Sequence, residues 1–326
     1  MKEAEIRPEQ IFRKYLELSS KDGELLDKSK FVNVLCPGCH CNKTVEKFIK
    51  NGFRYVLCQK CNSLYCSPRP SEEQLHSLYS GSESSKYWSE VFFPAVAEKR
   101  REKLFRPKAF KILQYLKERG VHVTRVCDVG AGHGIFLEEL RTLLPSVAYS
   151  AIEPDRNMAE ICRKKGFSVL EKPLEEADEW HKRFDLVMSS EVIEHVFSPK
   201  AYIEGLFRLL DSGVCLVTGL GYEGLDILTL QERSSSVFPP HHLNFLSVRG
   251  FQELFKSSGF DGVDVVTPGL LDVDIVLGSG HASEFLKVLA ARGPEAVEDM
   301  QKLLQKHKLS SHVWVVGQVR GINGNP

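Results

Sequence analysis

The sequence predicts an α/β fold built on a parallel sheet, with a small cysteine-rich module near the N-terminus. Three observations predict it. From residue 121 onward, short apolar runs alternate with helical stretches, which is the pattern of βαβ units. A glycine loop, VCDVGAGHG at 126–134, lies between the first of those runs and the helix that follows. Six of the nine cysteines crowd between Cys36 and Cys66.

Composition narrows the class. With 326 residues, 42% hydrophobic and 26% charged, the chain is globular rather than disordered or fibrous. Lys plus Arg and Asp plus Glu both number 43, so the broad basic excess of a nucleic-acid or anionic-membrane binder is missing. No apolar run approaches the roughly 18 residues that cross a bilayer. The opening MKEAEIRPEQ lacks the apolar centre of a signal peptide. A soluble, cytoplasmic protein with no membrane partner is expected.

The elements follow in order. Ile11, Phe12, Tyr15 and Leu16 share one helical face, so 1–30 is expected to form a helical arm. Segment 31–70 holds two strand-like runs, FVNVL and FRYVL, each leading into a CxxC. Residues 71–106 are expected to form a helical linker or lid, with Gly81 and its serine neighbours (SGSESS) as a loop. The main domain spans 107–326. Its strands are expected at Arg125–Val129, Tyr149–Glu153, Phe167–Leu170, Phe184–Ser189, Val214–Gly219, Val263–Thr267 and His312–Val319. Helices are expected near 134–144, 155–165, 199–210 and 247–258. Ser198-Pro199 offers an N-cap followed by proline at the first helical position. A helical insertion at 283–308, broken at Gly293-Pro294, precedes the last strand.

Cys36 and Cys39 form one CxxC, and Cys58 and Cys61 form another after 18 intervening residues. Two such knuckles match a zinc ribbon, because thiolates bind zinc tightly and the two-residue gap lets both sulfurs of a pair reach one ion. Four cysteines fill the tetrahedron, so the metal is structural. His40, Cys41 and Cys66 are spare ligand types. Lys43, Lys47, Lys50, Arg54, Lys60 and Arg69 face Glu46 alone, leaving the segment +5. The ribbon therefore either holds a small module together or also presents a basic docking surface.

Gly130, Gly132 and Gly134 permit a tight turn and close approach of a ligand to the backbone. The spacing is GAGHG and not the GxGxxG of dinucleotide domains. At the end of the next strand, Glu153 (SAIEPD) stands where a carboxylate can accept both hydroxyls of a ribose.

DVGAGHG, AIEPD, FDLVMSSEVIEHV and GVCLVTGLG together resemble the class I S-adenosylmethionine-dependent methyltransferases over roughly residues 107–320. The resemblance implies a Rossmann-like seven-stranded sheet whose last strand, here His312–Val319, is antiparallel. It also implies cofactor roles, position by position. Asp128, Gly130, Ala131, Gly132 and Gly134 would line the methionine and ribose side. Glu153 and Pro154 would lie at the ribose, Leu174 in KPLE near the adenine, and Ser190 and Glu191 along the methionine. The zinc module with CQKCNSLYCSPRPSEEQLHSLY, and the later HHLNFLS and TPGLLDVDIV, resemble a bacterial subgroup associated with methylation of sugars and other small secondary products.

Methyl transfer needs a positioned nucleophile and, where that nucleophile carries a proton, a base. His195, His241 and His242 are the candidates at the expected mouth of the sheet, with His133 more suited to touching cofactor. Tyr222, Glu223, Tyr87 and Trp88 are further candidates for contact with substrate or for a lid. The acceptor is expected to be a small molecule of sugar type, methylated at oxygen or carbon, and an anionic nucleotide-linked sugar would suit the basic module. Two alternatives stay open: an RNA acceptor read by the zinc ribbon, and a non-catalytic scaffold that only binds the cofactor. The fourth strand is followed by SSEV, unlike the Asn-Pro-Pro-Tyr type of amino-group DNA methyltransferases.

Overall fold

The computed structural model describes residues 2–319. A single turn, α1 (Glu3–Ile6), leads through Pro8 into α2 (Glu9–Leu25), which buries Phe12, Tyr15 and Leu18 on one face. Next come three antiparallel strands, β1 (Thr44–Lys50), β2 (Phe53–Cys58) and β3 (Leu64–Cys66). The run FVNVL is not a strand; Val32 alone bridges Arg69. Its place is taken by TVEKFIK, an edge strand whose only buried side chain is Phe48.

The segment expected to loop at SGSESS is helical. Ser71 caps α3 (Glu72–Gly81) in a capping box, and Ser82 caps α4 (Glu83–Tyr87) directly after it. The serines serve as N-caps because their hydroxyls take the free N–H groups of each helix start. A π-helical turn at Trp88–Phe92 joins α4 to α5 (Phe93–Arg100). A second, Arg101–Phe105, joins α5 to α6 (Arg106–Glu118).

The large sheet then begins. In chain order the elements are β4 (Arg125–Val129), α7 (Ile135–Leu143), β5 (Ala148–Ile152), α8 (Arg156–Lys164), β6 (Ser168–Leu170), β7 (Phe184–Ser190), α9 (Pro199–Leu209) and β8 (Leu210–Leu220). After α10 (Leu225–Leu230), the two-residue β9 (Asn244–Phe245) pairs antiparallel with β3, so the cysteine-bearing sheet has four strands. The chain continues through α11 (Val248–Ser257), β10 (Gly262–Val266), α12 (Asp272–Gly278), α13 (Glu284–Ala291) and α14 (Pro294–Lys306) to β11 (His312–Val319).

Seven strands run in the order β10-β11-β8-β7-β4-β5-β6. All four pairings from β8 across to β6 are parallel, while β11 lies antiparallel to both β8 and β10. This is the Rossmann-like sheet with an antiparallel last strand. Alternate residues feed two cores: Cys127, Val187 and Cys215 point to one face, and Val126, Leu186 and Met188 to the other. Strands buried on both faces have to be apolar throughout, which is why they read as continuous apolar runs. Strand order reverses between β4 and β7, and ligands of such sheets bind at the carboxyl ends of the strands there. Among the described residues, no helix is long and apolar enough to cross a membrane.

Candidate functional site

The glycine loop leaves β4 at that switch point. Gly130, Gly132 and Gly134 all have positive φ, at 74°, 55° and 68°, in the left-handed region that glycine enters without strain. A Cβ on Gly130 would stand 2.8 Å from Val192 Cγ2, whereas one on Gly132 would meet nothing within 4 Å. The loop is therefore packed at Gly130 and open at Gly132. Glu153, buried at the end of β5, accepts the Gly132 N–H at 2.7 Å and the Asp155 N–H at 3.0 Å. Burial pushes its carboxyl up to about 7, against those two N–H groups.

Asp128 is also buried, and its Oδ1 has no hydrogen-bond partner. Burial pushes it up to about 7, Lys108 pulls it back, and Glu153 adds to the rise. An open glycine cradle, an orphaned carboxylate oxygen and a carboxylate with spare lone pairs fit the hydroxyls and ammonium of S-adenosylmethionine. Ala131 and Pro154 lie within these turns. Leu174 differs: its side chain presses on Gly205 in the core, so only its backbone could border a ligand. His133 lies flat against Phe93 of α5, with ring centroids 4.6 Å apart, so the helical strap formed by α3–α5 covers the loop.

Ser190 and Glu191 end β7. Glu191 has φ 56°, an uncommon conformation for a side chain of its size. Its Oε1 accepts from Thr218 Oγ1 at 2.7 Å, lies 2.8 Å from His312 Nε2 and 3.6 Å from Lys108 Nζ. Enclosure alone would raise this carboxyl, but His312 and Lys108 hold it well below the usual range. Lys108, from α6, is buried and also donates to Thr218 at 2.9 Å and Ser190 at 3.4 Å. Burial lowers its pKa. The sequence reading missed Lys108 because only the fold brings α6 to the ends of β7 and β8.

The three histidines are brought together. The His195 and His242 rings are 4.7 Å apart, and those of His195 and His241 are 6.5 Å apart. His241 Nε2 lies 2.8 Å from Ser84 Oγ, and Ser84 N–H is held by Asp22 at 2.9 Å. His195 Nδ1 sits 3.1 Å from the His241 carbonyl and 3.0 Å from the Tyr79 hydroxyl. His242 Nδ1 lies 2.7 Å from the Ser236 carbonyl. A carbonyl only accepts, so His242 carries its hydrogen on Nδ1 and keeps a lone pair on Nε2. Burial pushes His195 down to about 4 and His241 to about 3, and His242 well below its usual value. All three are neutral near pH 7.

Glu194 joins them. One ligand atom each from Glu194, His195 and His242 lie within 4.8 Å of one another, and the buried Glu194 Oε2 has no partner. Burial raises this carboxyl well above its usual value, and the Glu191 charge adds to the rise. Two neutral imidazoles and a carboxyl can pass a proton, and they are also a donor set for a divalent cation. EVIEH carries both glutamates beside the histidine, a signal the sequence offered. Tyr222 is buried in the core and Glu223 receives the Val248 N–H at 2.7 Å, so both are structural. Tyr87 and Trp88 pack with the aromatic cluster of α2 and α5.

Cys36, Cys39, Cys58 and Cys61 converge within 4.8 Å. Their sulfurs pair at 3.4 Å and 3.5 Å. Zinc–sulfur bonds of about 2.3 Å in a tetrahedron imply about 3.8 Å between sulfurs, so the residues fit the ion. Cys41 and Cys66 stand apart, Cys41 taking the Lys43 N–H and Cys66 facing the Pro68 carbonyl, while His40 turns the first knuckle at φ 55°. Of the six basic residues of this module, Lys60 alone meets a carboxylate among the described residues, and Lys43 and Lys47 stay exposed. Arg69 is fully buried, Arg54 binds the Ser67 carbonyl, Lys50 the Ser234 carbonyl, and Lys60 pairs with Glu253 at 3.0 Å.

The profile of a family described as a methyltransferase domain matches residues 96–265. The chain is 27% identical over 219 residues to the mitochondrial ubiquinone biosynthesis O-methyltransferase of Homo sapiens, covering 62% of this chain and 56% of that one. It is 31% identical over 128 residues to the Dictyostelium discoideum protein of the same name, covering 35% and 39%. The match thus spans about half, or less, of the curated relatives. Similar solved structures include a SAM-dependent methyltransferase from Archaeoglobus fulgidus, at 17% identity and TM-score 0.49, covering 71% of this chain and 100% of that one. The plantazolicin methyltransferase BamL is similar at 17% identity and TM-score 0.47, covering 75% and 94%.

Proposed function

The chain belongs to the methyltransferase domain family, and from that membership we propose that it moves a methyl group from S-adenosylmethionine to a small, hydroxyl-bearing acceptor. The observation that carries this reading is the glycine cradle open at Gly132, with Glu153 fixed on its N–H and Asp128 unpartnered beneath. S-adenosylmethionine supplies an electrophilic methyl group. Glu153 would hold the ribose hydroxyls, and Asp128 with the loop would face the methionine ammonium and ribose. Lys108 and Glu191, fixed by Thr218 and His312, set the charge at the methionine end. Phe93, stacked on His133, keeps water from the loop.

On the acceptor side, His242 offers an Nε2 lone pair oriented by the Ser236 carbonyl, next to His195 and Glu194. Imidazoles held this far below neutrality are weak bases. They accept the acceptor's hydrogen bond early and its proton only as the new bond forms. Such an arrangement suits a sugar-type hydroxyl or an activated carbon acid. A second reading, an acceptor in ubiquinone biosynthesis methylated at oxygen, is favoured by the likeness to the human and Dictyostelium enzymes. The equal numbers of basic and acidic residues weigh against RNA. Zinc would cross-link the module at Cys36, Cys39, Cys58 and Cys61, and a four-thiolate centre suits a reducing compartment such as the cytoplasm.

Calorimetry with S-adenosylhomocysteine tests the donor half: no binding by the zinc-loaded chain refutes the reading. Transfer of labelled methyl groups to nucleotide sugars, free sugars and ubiquinone precursors then identifies the acceptor class. Binding without transfer to any of them would support the scaffold alternative.

A further inference from the structure

Arg100, the last residue of α5, makes no ion pair among the described residues. Its guanidinium lies 5.3 Å from the Trp88 ring centroid and 5.9 Å from those of Phe92 and Phe93. Those rings cover its faces. Its edge carries five N–H donors, and among the described residues none has a hydrogen bond or ion pair; Nε is buried outright. A π-helical turn begins at the next residue, a feature that recurs at functional sites.

Arg7 stands beside it. It is held to Glu3 at 3.3 Å and lies over Phe12, and its charge reaches Arg100, Glu194 and His242. The arm that carries it is fastened at both ends. Lys2 and the Glu3 N–H bind Asp274, at 2.8 Å and 2.7 Å, and Glu5 pairs with Lys103 at 3.3 Å. These two cations repel each other; among the described residues Glu3 pairs with Arg7, and the Glu191 charge reaches Arg100 without bonding to it. Lys108, within reach of Asp128, Glu191 and Glu194, is instead bonded to Thr218 and Ser190 at the ends of β7 and β8.

We propose that the unpartnered Nη edge of Arg100, with Arg7 beyond Phe12 and Phe92, anchors an oxyanion carried by the methyl acceptor, a carboxylate or a phosphate. A planar guanidinium matches either group with two parallel N–H···O bonds. The inference rests on the methyltransferase reading and narrows it: a neutral sugar would leave the Arg100 edge without a partner, whereas a sugar phosphate or a hydroxylated carboxylic acid would not.

The test uses the zinc-loaded full chain saturated with S-adenosylhomocysteine. Inorganic phosphate, pyrophosphate and 3,4-dihydroxybenzoate are titrated in turn, with catechol as the neutral control. The expected result is binding of at least one anion over catechol, weakened about tenfold by Arg100→Gln, less by Arg100→Lys, and about threefold by Arg7→Gln. S-adenosylhomocysteine affinity should stay within about twofold in all three variants, and melting curves check the fold. Loss of S-adenosylhomocysteine affinity in Arg100→Gln would assign the arginine to the methionine carboxylate and overturn the proposal. So would an unchanged anion affinity in a folded Arg100→Lys and Arg100→Gln pair, or no anion bound by the wild type. Failure of the wild type to bind S-adenosylhomocysteine would instead defeat the methyltransferase reading itself.

Discussion

Removing zinc should disable the histidine cluster while sparing the cofactor cradle. The second knuckle is joined to the acceptor side of the cleft by direct bonds. Ser247 Oγ donates to the Cys61 carbonyl, Ser63 Oγ accepts the Ser247 N–H at 3.1 Å, and β3 pairs with β9 at Leu64–Phe245 and Tyr65–Asn244. Tyr55, fully buried in β2, donates to the His242 carbonyl at 2.6 Å. The glycine loop, by contrast, is held by β4, β5 and Val192, with no bond to the cysteine sheet. Structural zinc contributes about 10–16 kcal/mol in isolated modules, as much as an entire domain's stability of about 5–15 kcal/mol. Even a third of that lost through a partly buttressed module should lower the melting temperature by about 10 °C. Stripping the metal with a chelator, and separately replacing Cys58→Ser, should therefore cut methyl transfer by at least about tenfold. S-adenosylhomocysteine affinity should change by less than about threefold. Metal analysis, calorimetric titration and labelled-methyl transfer on the same samples check each part. Full activity in a metal-free chain would refute the argument, as would a cofactor affinity that collapses with the zinc.

Other outcomes follow from the same contacts. Glu153→Gln removes charge-assisted hydrogen bonds of about 1.5–3 kcal/mol, so calorimetry should show S-adenosylhomocysteine affinity about ten- to a hundredfold weaker; an unchanged affinity would take Glu153 out of the donor site. Tyr55→Phe leaves the buried His242 carbonyl without a donor, costing about 1–3 kcal/mol of stability, and should lower the turnover rate more than cofactor affinity. The ligand-free chain should also lose stability with rising pH. Asp128 and Glu153 are raised to about 7 from 3.8 and 4.5 by burial, so the protonated folded form is favoured. That stabilisation is complete below the unfolded values and disappears as pH climbs through about 7. Below about pH 6.5 the three buried histidines act in the opposite sense, so melting temperature without ligand should fall between about pH 6.5 and 8, while cofactor affinity improves over the same interval; a flat melting profile there would show that the two carboxyls are not buried as described.

The parts of the molecule legible in its sequence are those in which one residue type has one physical use. Glycines at positive φ, paired thiolates and strands buried on both faces leave little choice of residue. Edge strands and caps leave more. TVEKFIK reads as polar because β1 pairs on one side only and faces water over most of its length. FVNVL reads as a strand by composition, yet its neighbour Cys36 is fixed by the knuckle, and the run makes one bridge. SGSESS looks like a loop until Ser82 is seen as the cap of α4, as Ser71 is of α3. The candidate histidines could be named, but not their grouping. His241 depends on Ser84 of α4 and Asp22 of α2, and His242 on Tyr55 of β2; these contacts span up to 187 residues of chain and leave no local pattern.

That distribution of contacts also separates the two halves of the chemistry. The residues that the resemblance assigns to the donor side, from Asp128 to Glu191, all lie within the βα units of the large sheet. On the proposed acceptor side, the groups come from five sources: α1 and α2, the cysteine sheet, the helices α3–α5, the β7–α9 loop with Glu194 and His195, and the loop between β8 and β9. An acceptor that could be recognised by the sheet alone would need none of the first three. Their bonds to one another, Lys2 to Asp274, Glu5 to Lys103, Tyr55 to His242 and Ser84 to His241, instead close a wall around Arg7, Arg100 and the histidines. The same wall explains why the histidines are neutral: burial by those appended segments removes the water that would otherwise stabilise an imidazolium. A change of acceptor between related chains should then be found in the first 106 residues and the 231–247 loop, and exchanging those segments together, not singly, should transfer acceptor preference while cofactor affinity stays with the sheet.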